Sequence, residues 1–166
     1  MVAGAVGTER ADTVEIFRRV RQLQTACGAV MAPFDCWLCL RGMRSLGARM
    51  RAHCTNAMAA ASMLASHPAV SHVYYPGLPS HAGHAIAAAQ MNGRYGGMLS
   101  VRVHGGRAAA VHFAARLRIF RRATSLGGTE SLVEHRRSIE PADSQTPDDL
   151  LRMSIGIEEE HDILDD

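Results

Sequence analysis

The chain contains no lysine, and all 18 of its basic residues are arginines. A lysine amine is the group with which an enzyme forms a Schiff base to a carbonyl compound, so these 166 residues offer no lysine for that chemistry. A basic stripe is also missing, because 16 acidic residues are spread among the arginines and the net charge is only +2. We therefore do not expect the chain to bind nucleic acid.

Long apolar runs are missing as well. No uninterrupted stretch is long enough to span a bilayer, and the apolar residues 1–7 are too few, without preceding basic residues, for a secretory signal. We expect a cytoplasmic protein with no membrane partner. Hydrophobic residues make up 47% of the chain and charged residues 20%, which is typical of a soluble globular protein with one main core.

Only four cysteines are present, and without an export signal they are expected to be reduced thiols. Cys36 and Cys39 have the spacing of a zinc-ligand pair, which His53 and Cys54 could complete. The pair lies in an apolar helical run, however, where thiols usually behave as small hydrophobic residues. The sequence therefore does not favour a metal site.

Other polar clusters are interpreted as surface groups. His81 and His84 are one helical turn apart, but they have no acidic or thiol neighbour to complete a metal site. The arginines cluster locally on the polar faces of predicted helices, where they are expected to be solvated or to lie at an interface. The clusters are Arg10 with Arg18, Arg19 and Arg21, and Arg116 with Arg118, Arg121 and Arg122.

The first third of the chain is predicted to be helical. Apolar residues recur at helical spacing from Ile16 to Cys27, after a capping-box-like start at Asp12 and Glu15, which predicts a helix ending near Gly28. A second and longer helical run follows, which Asp35 could cap and which extends to about residue 66. Glycines at positions 42 and 47 weaken this run, so a bend is expected there.

Strands and helices alternate in the rest of the chain. Alternating apolar residues predict strands at 70–75, 98–103 and 151–157, and an extended segment at 119–125. Helices are predicted at 80–90, after the glycine pair at 105–106, briefly up to residue 133, and from 158 to the end, with a polar loop at 134–145. Residues 146–149 resemble a helix start, in conflict with the strand that follows. The pattern predicts an α+β fold, in which helices cover a small, mostly antiparallel sheet.

Nine short segments, in this order, resemble the C-terminal part of the Cys/Met-metabolism family of pyridoxal-phosphate enzymes, which includes cystathionine γ-synthase, cystathionine γ-lyase and methionine γ-lyase. Motifs of this length gain meaning from their shared order and context. The segments are Pro33-Phe-Asp-Cys-Trp-Leu38, Leu40-Arg-Gly-Met43, Asn56-Ala57, His67-Pro68, Tyr75-Pro-Gly-Leu-Pro-Ser-His81, Gly96-Gly97, Ser125-Leu-Gly-Gly128, Glu130-Ser-Leu132 and Arg152-Met-Ser-Ile-Gly-Ile-Glu158.

The resemblance implies a site for the carboxylate of an amino-acid substrate. It places Arg152 at the α-carboxylate, where a planar guanidinium can bind two oxygens at once. It places Ser125 beside the same carboxylate. Thr124 stands where many γ-synthases and γ-lyases have an acidic residue, so it is the third candidate substrate-binding residue. The Met-Thr-His stretch that usually follows the Glu-Ser-Leu block in this family is absent.

The resemblance also implies pyridoxal phosphate as cofactor, but the family's Schiff-base lysine and phosphate-binding groups have no counterpart in this chain. We therefore expect residues 1–34 to form a linker helix and residues 35–166 a C-terminal substrate-carboxylate domain that is inactive alone, like the C-terminal domain of fold-type I pyridoxal-phosphate transferases. The implied partners are the amino-acid substrate and a cofactor domain or a homo-oligomer partner. The alternative is a non-catalytic chain that complements a separate cofactor-bearing polypeptide.

Overall fold

A computed structural model describes residues 13–166, which form two compact units divided between Gly47 and Ala48. The helices of the described part are α1 (Val14–Cys27), α2 (Pro33–Arg44), α3 (Leu46–Ser66), α4 (His84–Met91), α5 (Gly106–Arg116) and α6 (Glu160–Asp165). Its strands are β1 (Val70–Tyr74), β2 (Met98–Val103), β3 (Arg121–Arg122), β4 (Leu132–His135) and β5 (Leu150–Ser154).

In the first unit, α1 ends where the sequence predicted. Gly28 adopts a left-handed conformation with φ of 64°, and its N–H reaches the carbonyls of Gln24 and Thr25. This is the usual way for a glycine to end a helix, because it carries no Cβ that would clash there. Asp12, the expected start of the capping box, lies outside the described residues.

The expected long helix up to residue 66 is two helices, α2 and α3, because the helical run breaks at Ser45. The break lies between Gly42 and Gly47, where helix propensity is weakest. The expected cap at Asp35 was wrong. Ala32 is the N-cap, and Pro33 occupies the first helical position, where its missing N–H costs no hydrogen bond.

The second unit contains a five-stranded sheet with the order β1-β2-β5-β4-β3. Every neighbouring pair is antiparallel except β3 and β4, which are parallel. The expected α+β fold with a small, mostly antiparallel sheet is therefore confirmed. The strand predicted at 98–103 is β2, and β5 begins at Leu150, so the strand signal prevails over the predicted helix start at 146–149.

One face of the sheet forms the core. Successive inward residues of β2 and β5 are fully or nearly fully buried, and α5 packs against β2, β4 and β5 through Ala110 and Ala114. Small side chains on α3 also enter this core and let the helix approach closely. The buried residues from these strands and α3 are Leu99, Val101, Val103, Val133, Leu151, Met153, Ala57, Ala60 and Ala61.

The opposite face of the sheet is polar at its centre. The register places Ser100 of β2 and Glu134 of β4 on either side of Arg152 of β5. Residues directly opposite each other in antiparallel strands project on the same side, so these three side chains share one face. The candidate site is built on this face.

Two predictions for residues up to 135 were wrong. Residues 132–135 form the strand β4 instead of the end of a brief helix up to Val133, and Glu134 lies in the sheet instead of in a polar loop. The helix predicted from residue 80 also begins later, at His84. The division of the chain at residue 34 into a linker and a substrate domain stays a prediction about function. Within residues 13–166, no helix is both long and apolar enough to cross a membrane.

Candidate substrate-carboxylate site

Arg152 lies on β5, the central strand of the sheet, between β2 and β4. Its side chain is about one fifth exposed, with a relative accessibility of 22%. The adjacent residues Leu151 and Met153 face the core and fix the strand's orientation. A guanidinium on such a strand is therefore held on a rigid scaffold and still reaches solvent.

One end of the guanidinium is held by the chain itself. Nη2 of Arg152 donates to the backbone carbonyl of Thr124 at 2.6 Å and lies 3.3 Å from that of Ser125. The same nitrogen is 3.1 Å from Oε2 of Glu134. The three residues predicted from the sequence, Thr124, Ser125 and Arg152, are thus brought together. Whether they bind a substrate stays a prediction.

The other end of the guanidinium is available. Among residues 13–166, no hydrogen-bond acceptor is in range of Nε or Nη1 of Arg152, and the hydroxyl of Ser125 makes no hydrogen bond. The open donors are therefore the Nε–H and the two N–H groups of Nη1, which carry the positive charge toward solvent and can each bond a carboxylate oxygen. These donors, with the exposed Ser125 hydroxyl nearby, are the chemically open part of the site.

The loop that carries Ser125 is fixed from β5. Gly127 has a φ of 73°, and its N–H donates to Oγ of the buried Ser154 at 3.0 Å. Ser154 is two residues after Arg152 on the same strand, so the two side chains lie on the same face. One strand therefore supplies both the guanidinium and the anchor of the loop whose carbonyls hold it.

Glu134 is buried beside Arg152, with 6% of its surface exposed. Nη1 of Arg136 donates to its Oε2 at 2.7 Å, and Arg136 also bonds Glu140. Burial acts to raise the pKa of the Glu134 carboxyl. This effect is outweighed by hydrogen bonds from Thr124 and Arg136 and by the positive charges of Arg152 and Arg136, which together hold the pKa below its usual value. Glu134 is therefore ionised at neutral pH.

The turn that follows β5 is locked by a second polar cluster. Glu158 accepts from the backbone N–H of Ser131 at 2.6 Å and from its hydroxyl at 2.9 Å, and the same hydroxyl accepts from the Gly156 N–H at 2.8 Å. The side chain of Asn56 on α3 donates to the carbonyls of Gly156 and Glu158. These bonds join three segments that are far apart in the sequence, and they fix the chain directly after the site.

Sequence reasoning missed Glu134 and Ser154 as parts of the site. Ser154 lies inside a quoted motif, but nothing in the motif shows that its hydroxyl accepts from Gly127. Glu134 was placed in a polar loop because a charged residue in a four-residue segment does not look like part of a buried strand. The sequence signal for a strand at this point was the apolar pair Leu132 and Val133 directly before Glu134. Both residues are buried in the structure.

The other sequence candidates have structural contacts. His84 Nδ1 lies 2.8 Å from the carbonyl of Pro76, and His81 Nδ1 accepts from the Gly83 N–H at 3.1 Å. Nδ1 of His53 is 2.7 Å from the carbonyl of Ile155. In the described part of the chain, no three His, Cys, Asp or Glu side chains are placed to share a metal ion.

Comparisons with known proteins bear on this site. The model of the family described as Cys/Met metabolism PLP-dependent enzymes matches residues 1–166. Over 171 aligned residues the chain is 48% identical to the cystathionine gamma-synthase of Mycobacterium bovis, covering 100% of this chain and 43% of that protein. It is 41% identical over 169 residues to the cystathionine gamma-lyase of Dictyostelium discoideum, covering 97% of this chain and 43% of that protein.

Solved structures share the fold. The chain superposes with a TM-score of 0.85 and 43% identity on the cystathionine gamma synthase of Xanthomonas oryzae pv. oryzae, solved in complex with aminoacrylate and cysteine. The superposition covers 92% of this chain and 41% of that one. The chain thus spans about two fifths of the length of the proteins that it matches.

Proposed function

The chain belongs to the family of Cys/Met metabolism PLP-dependent enzymes, and from that premise we propose that it supplies the substrate-carboxylate site of a transsulfuration enzyme of the cystathionine γ-synthase or γ-lyase type. The substrates of this enzyme are sulfur-containing or O-acylated homoserine-type amino acids. Arg152 binds the α-carboxylate, and Ser125 and Thr124 form the adjacent wall of the site.

The observation that supports this proposal is the arrangement around Arg152. Its Nη2 is bonded to the carbonyl of Thr124 at 2.6 Å, and Nε and Nη1 have no partner in the described part of the chain. A guanidinium that is held at one nitrogen and has free N–H groups on the other two is suited to charge-assisted hydrogen bonding of a carboxylate. Such binding fixes the orientation of an amino acid, which is the protein's main task in this class of reaction.

The residues of this chain do not fit the covalent attachment of pyridoxal phosphate. No lysine is present among these 166 residues, so none of their side chains offers a primary amine. The hydrogen-bond donors at the site are a guanidinium and a hydroxyl, which suit a carboxylate and do not form an imine with an aldehyde. We therefore assign no chemical step of the reaction to these residues. The chain binds and orients, and the cofactor chemistry comes from residues outside these 166.

Borohydride trapping tests this division of roles. The purified chain is incubated with pyridoxal phosphate, reduced with borohydride and mapped by peptide mass spectrometry. We expect no stoichiometric adduct except on the α-amino group of Met1, since no side-chain amine is present. A stoichiometric adduct at an internal residue of the folded chain would show that the chain carries the cofactor itself.

A second function is favoured by the surface of the first unit. Neither α1 nor α2 contains a buried residue, and large apolar side chains are exposed on both. Exposed apolar surface of this kind is typical of a face that another polypeptide covers. The exposed residues are Val14, Ile16, Val20 and Leu23 on α1 and Phe34, Trp37, Leu40 and Met43 on α2. The chain would then be a non-catalytic partner that pairs with a separate cofactor-bearing polypeptide.

Analytical ultracentrifugation with a hydrophobic dye tests this second function. A docking surface predicts self-association and dye binding by the isolated chain, both reduced by Trp37→Ser with Leu40→Ser. The matched control is Arg121→Ser with Arg122→Ser, which changes two exposed polar residues of β3. A stable monomer that does not bind the dye would remove the support for a docking surface.

A further inference from the structure

We propose that Glu134 is a positioning residue that holds Nη2 of the Arg152 guanidinium, so that the N–H groups of Nη1 and Nε stay available to the ligand carboxylate. This inference rests on the proposed function, since it concerns how the carboxylate-binding group is oriented. It assigns a role to a buried acid that the sequence placed in a loop. The role is exerted through Arg152 and requires no contact with the substrate.

Acceptors from two different residues lie close to one nitrogen of Arg152. Glu134 and Arg152 are directly paired across β4 and β5, and Oε2 of Glu134 is 3.1 Å from Nη2 of Arg152. The carbonyl of Thr124 lies 2.6 Å from the same nitrogen. Because both acceptors converge on Nη2, rotation of the guanidinium would lose both contacts together. The orientation of the N–H groups on Nη1 and Nε is thereby fixed.

Glu134 is itself held in place. Its carboxylate is buried at 6% exposure, and Arg136 donates to it at 2.7 Å. Arg136 is in turn bonded to Glu140. The network therefore extends from Glu140 through Arg136 and Glu134 to Arg152, with charges of alternating sign. A buried anion whose position is fixed in this way orients a long side chain more effectively than an exposed one.

Orientation matters here because a free arginine side chain has many rotamers. Ordering such a side chain on binding costs conformational entropy, whereas a side chain that is ordered beforehand avoids much of this cost. The competing role for Glu134 is only to balance the charges of two neighbouring arginines. The two roles predict opposite effects on anion binding.

The variant Glu134→Gln separates them, since it keeps the shape of the side chain and removes its charge. Removing a negative charge 3.1 Å from Arg152 would tighten the binding of an anion through Coulomb attraction alone. Loss of positioning would weaken it. Weaker carboxylate binding in Glu134→Gln therefore supports positioning, and equal or tighter binding overturns it.

The experiment uses the full chain labelled with ¹⁵N-arginine. The Nε–H signal of Arg152 is assigned by its disappearance in Arg152→Met, and its order is measured by the heteronuclear nuclear Overhauser effect. We expect an ordered Arg152 signal in the wild type and a mobile one in Glu134→Gln. The matched control is Asp149→Asn, which removes a carboxylate paired with Arg102 elsewhere on the sheet and should leave Arg152 ordered. An ordered Arg152 in Glu134→Gln, or an equal loss of order in Asp149→Asn, contradicts the inference.

If Glu134→Gln does not fold, the pair is measured from its other member. The Glu134 carboxyl is titrated by ¹³C NMR in the wild type and in Arg152→Met, whose altered side chain is partly exposed. We expect the pKa of Glu134 to rise in Arg152→Met, because one of the charges that lower it is gone. An unchanged pKa would show that the two residues do not interact and would overturn the inference.

Titration with acetate and with O-acetylhomoserine completes the test and separates it from the proposed function. We expect a saturable shift of the Arg152 Nε–H signal in the wild type, and an affinity at least threefold lower in Glu134→Gln. If Arg152 is ordered by Glu134 but neither ligand shifts its signal, the proposed function fails and the positioning role stands. If both ligands bind and Glu134→Gln binds them equally well, the positioning role fails and the proposed function stands.

Discussion

Replacing Ser131 by alanine should destabilise the second unit more than any other serine substitution near the site. Ser131 is fully buried, and its hydroxyl both donates to Glu158 at 2.9 Å and accepts from the Gly156 N–H at 2.8 Å. Ser131→Ala removes both bonds and keeps the third, from the Ser131 N–H to Glu158. The change therefore affects the turn after β5 and little else.

The magnitude follows from the two lost bonds. A buried N–H left without an acceptor costs about 1–3 kcal/mol, and a hydrogen bond to a charged group contributes about 1.5–3 kcal/mol. The two bonds share one hydroxyl and Glu158 keeps another donor, so the sum is not fully additive. We expect the free energy of unfolding to fall by about 2–4 kcal/mol.

Urea unfolding followed by far-ultraviolet circular dichroism measures this loss. Tryptophan fluorescence is not suitable, because the single tryptophan, Trp37, lies on α2 in the first unit. The matched control is Ser125→Ala, an exposed serine whose hydroxyl has no partner among the described residues, which should change the free energy by less than about 0.5 kcal/mol. A loss below about 1 kcal/mol in Ser131→Ala, with an unchanged denaturant slope, would refute the reasoning.

Two further predictions concern the loop and the edge of the sheet. Ser154→Ala removes the acceptor of the Gly127 N–H, so hydrogen exchange of that amide should quicken about three- to tenfold, the equivalent of one ordinary hydrogen bond. The Ala123 amide, which donates to the carbonyl of Val133, is the control and should be unaffected. If the Gly127 amide exchanges equally fast in wild type and variant, Ser154 does not anchor the loop. The hydrogen bond from Arg102 holds the pKa of Asp149 below its usual value, so the ionised pair stabilises the fold at neutral pH. This stabilisation is lost as the pH falls through the pKa of Asp149 in the folded state. Arg102→Gln should therefore be less stable than wild type at pH 7, with the gap closing in acid, whereas a gap that is constant with pH would contradict the assignment.

The parts of the fold that could be predicted from the sequence are those with a local signal. The strand β2 was predicted at its observed bounds because Leu99, Val101 and Val103 alternate with more exposed residues and glycine pairs flank the segment. Helix α1 was likewise predicted to its end at Gly28. In both cases the periodicity and the terminating residue lie within one short window, so no information about distant contacts is needed.

The parts that could not be predicted depend on pairing between distant segments. Strand β4 has only four residues, and Glu134 within it is compatible with burial only because Arg152 and Arg136 neutralise it. The sequence does not show which residues form such a network, because they become neighbours only when the strands pair. The closeness of Ser125 to Arg152, 27 residues apart, was likewise expected only from the family resemblance, since no periodicity relates the two positions.

The central claim is that Arg152 binds the α-carboxylate of the substrate, and one measurement tests it most directly. The chain is fused to the cofactor-bearing part of the Mycobacterium bovis cystathionine gamma-synthase, and kcat/KM is compared for the fusion, for Arg152→Lys and for the control Arg121→Lys on the exposed strand β3. Lysine keeps the charge, but its single nitrogen cannot replace both the bond to Thr124 and the donors offered to the ligand. Arg152→Lys should therefore lower kcat/KM by about ten- to 150-fold, the equivalent of about 1.5–3 kcal/mol. An active fusion in which both variants stay within about twofold of the parent would contradict the account.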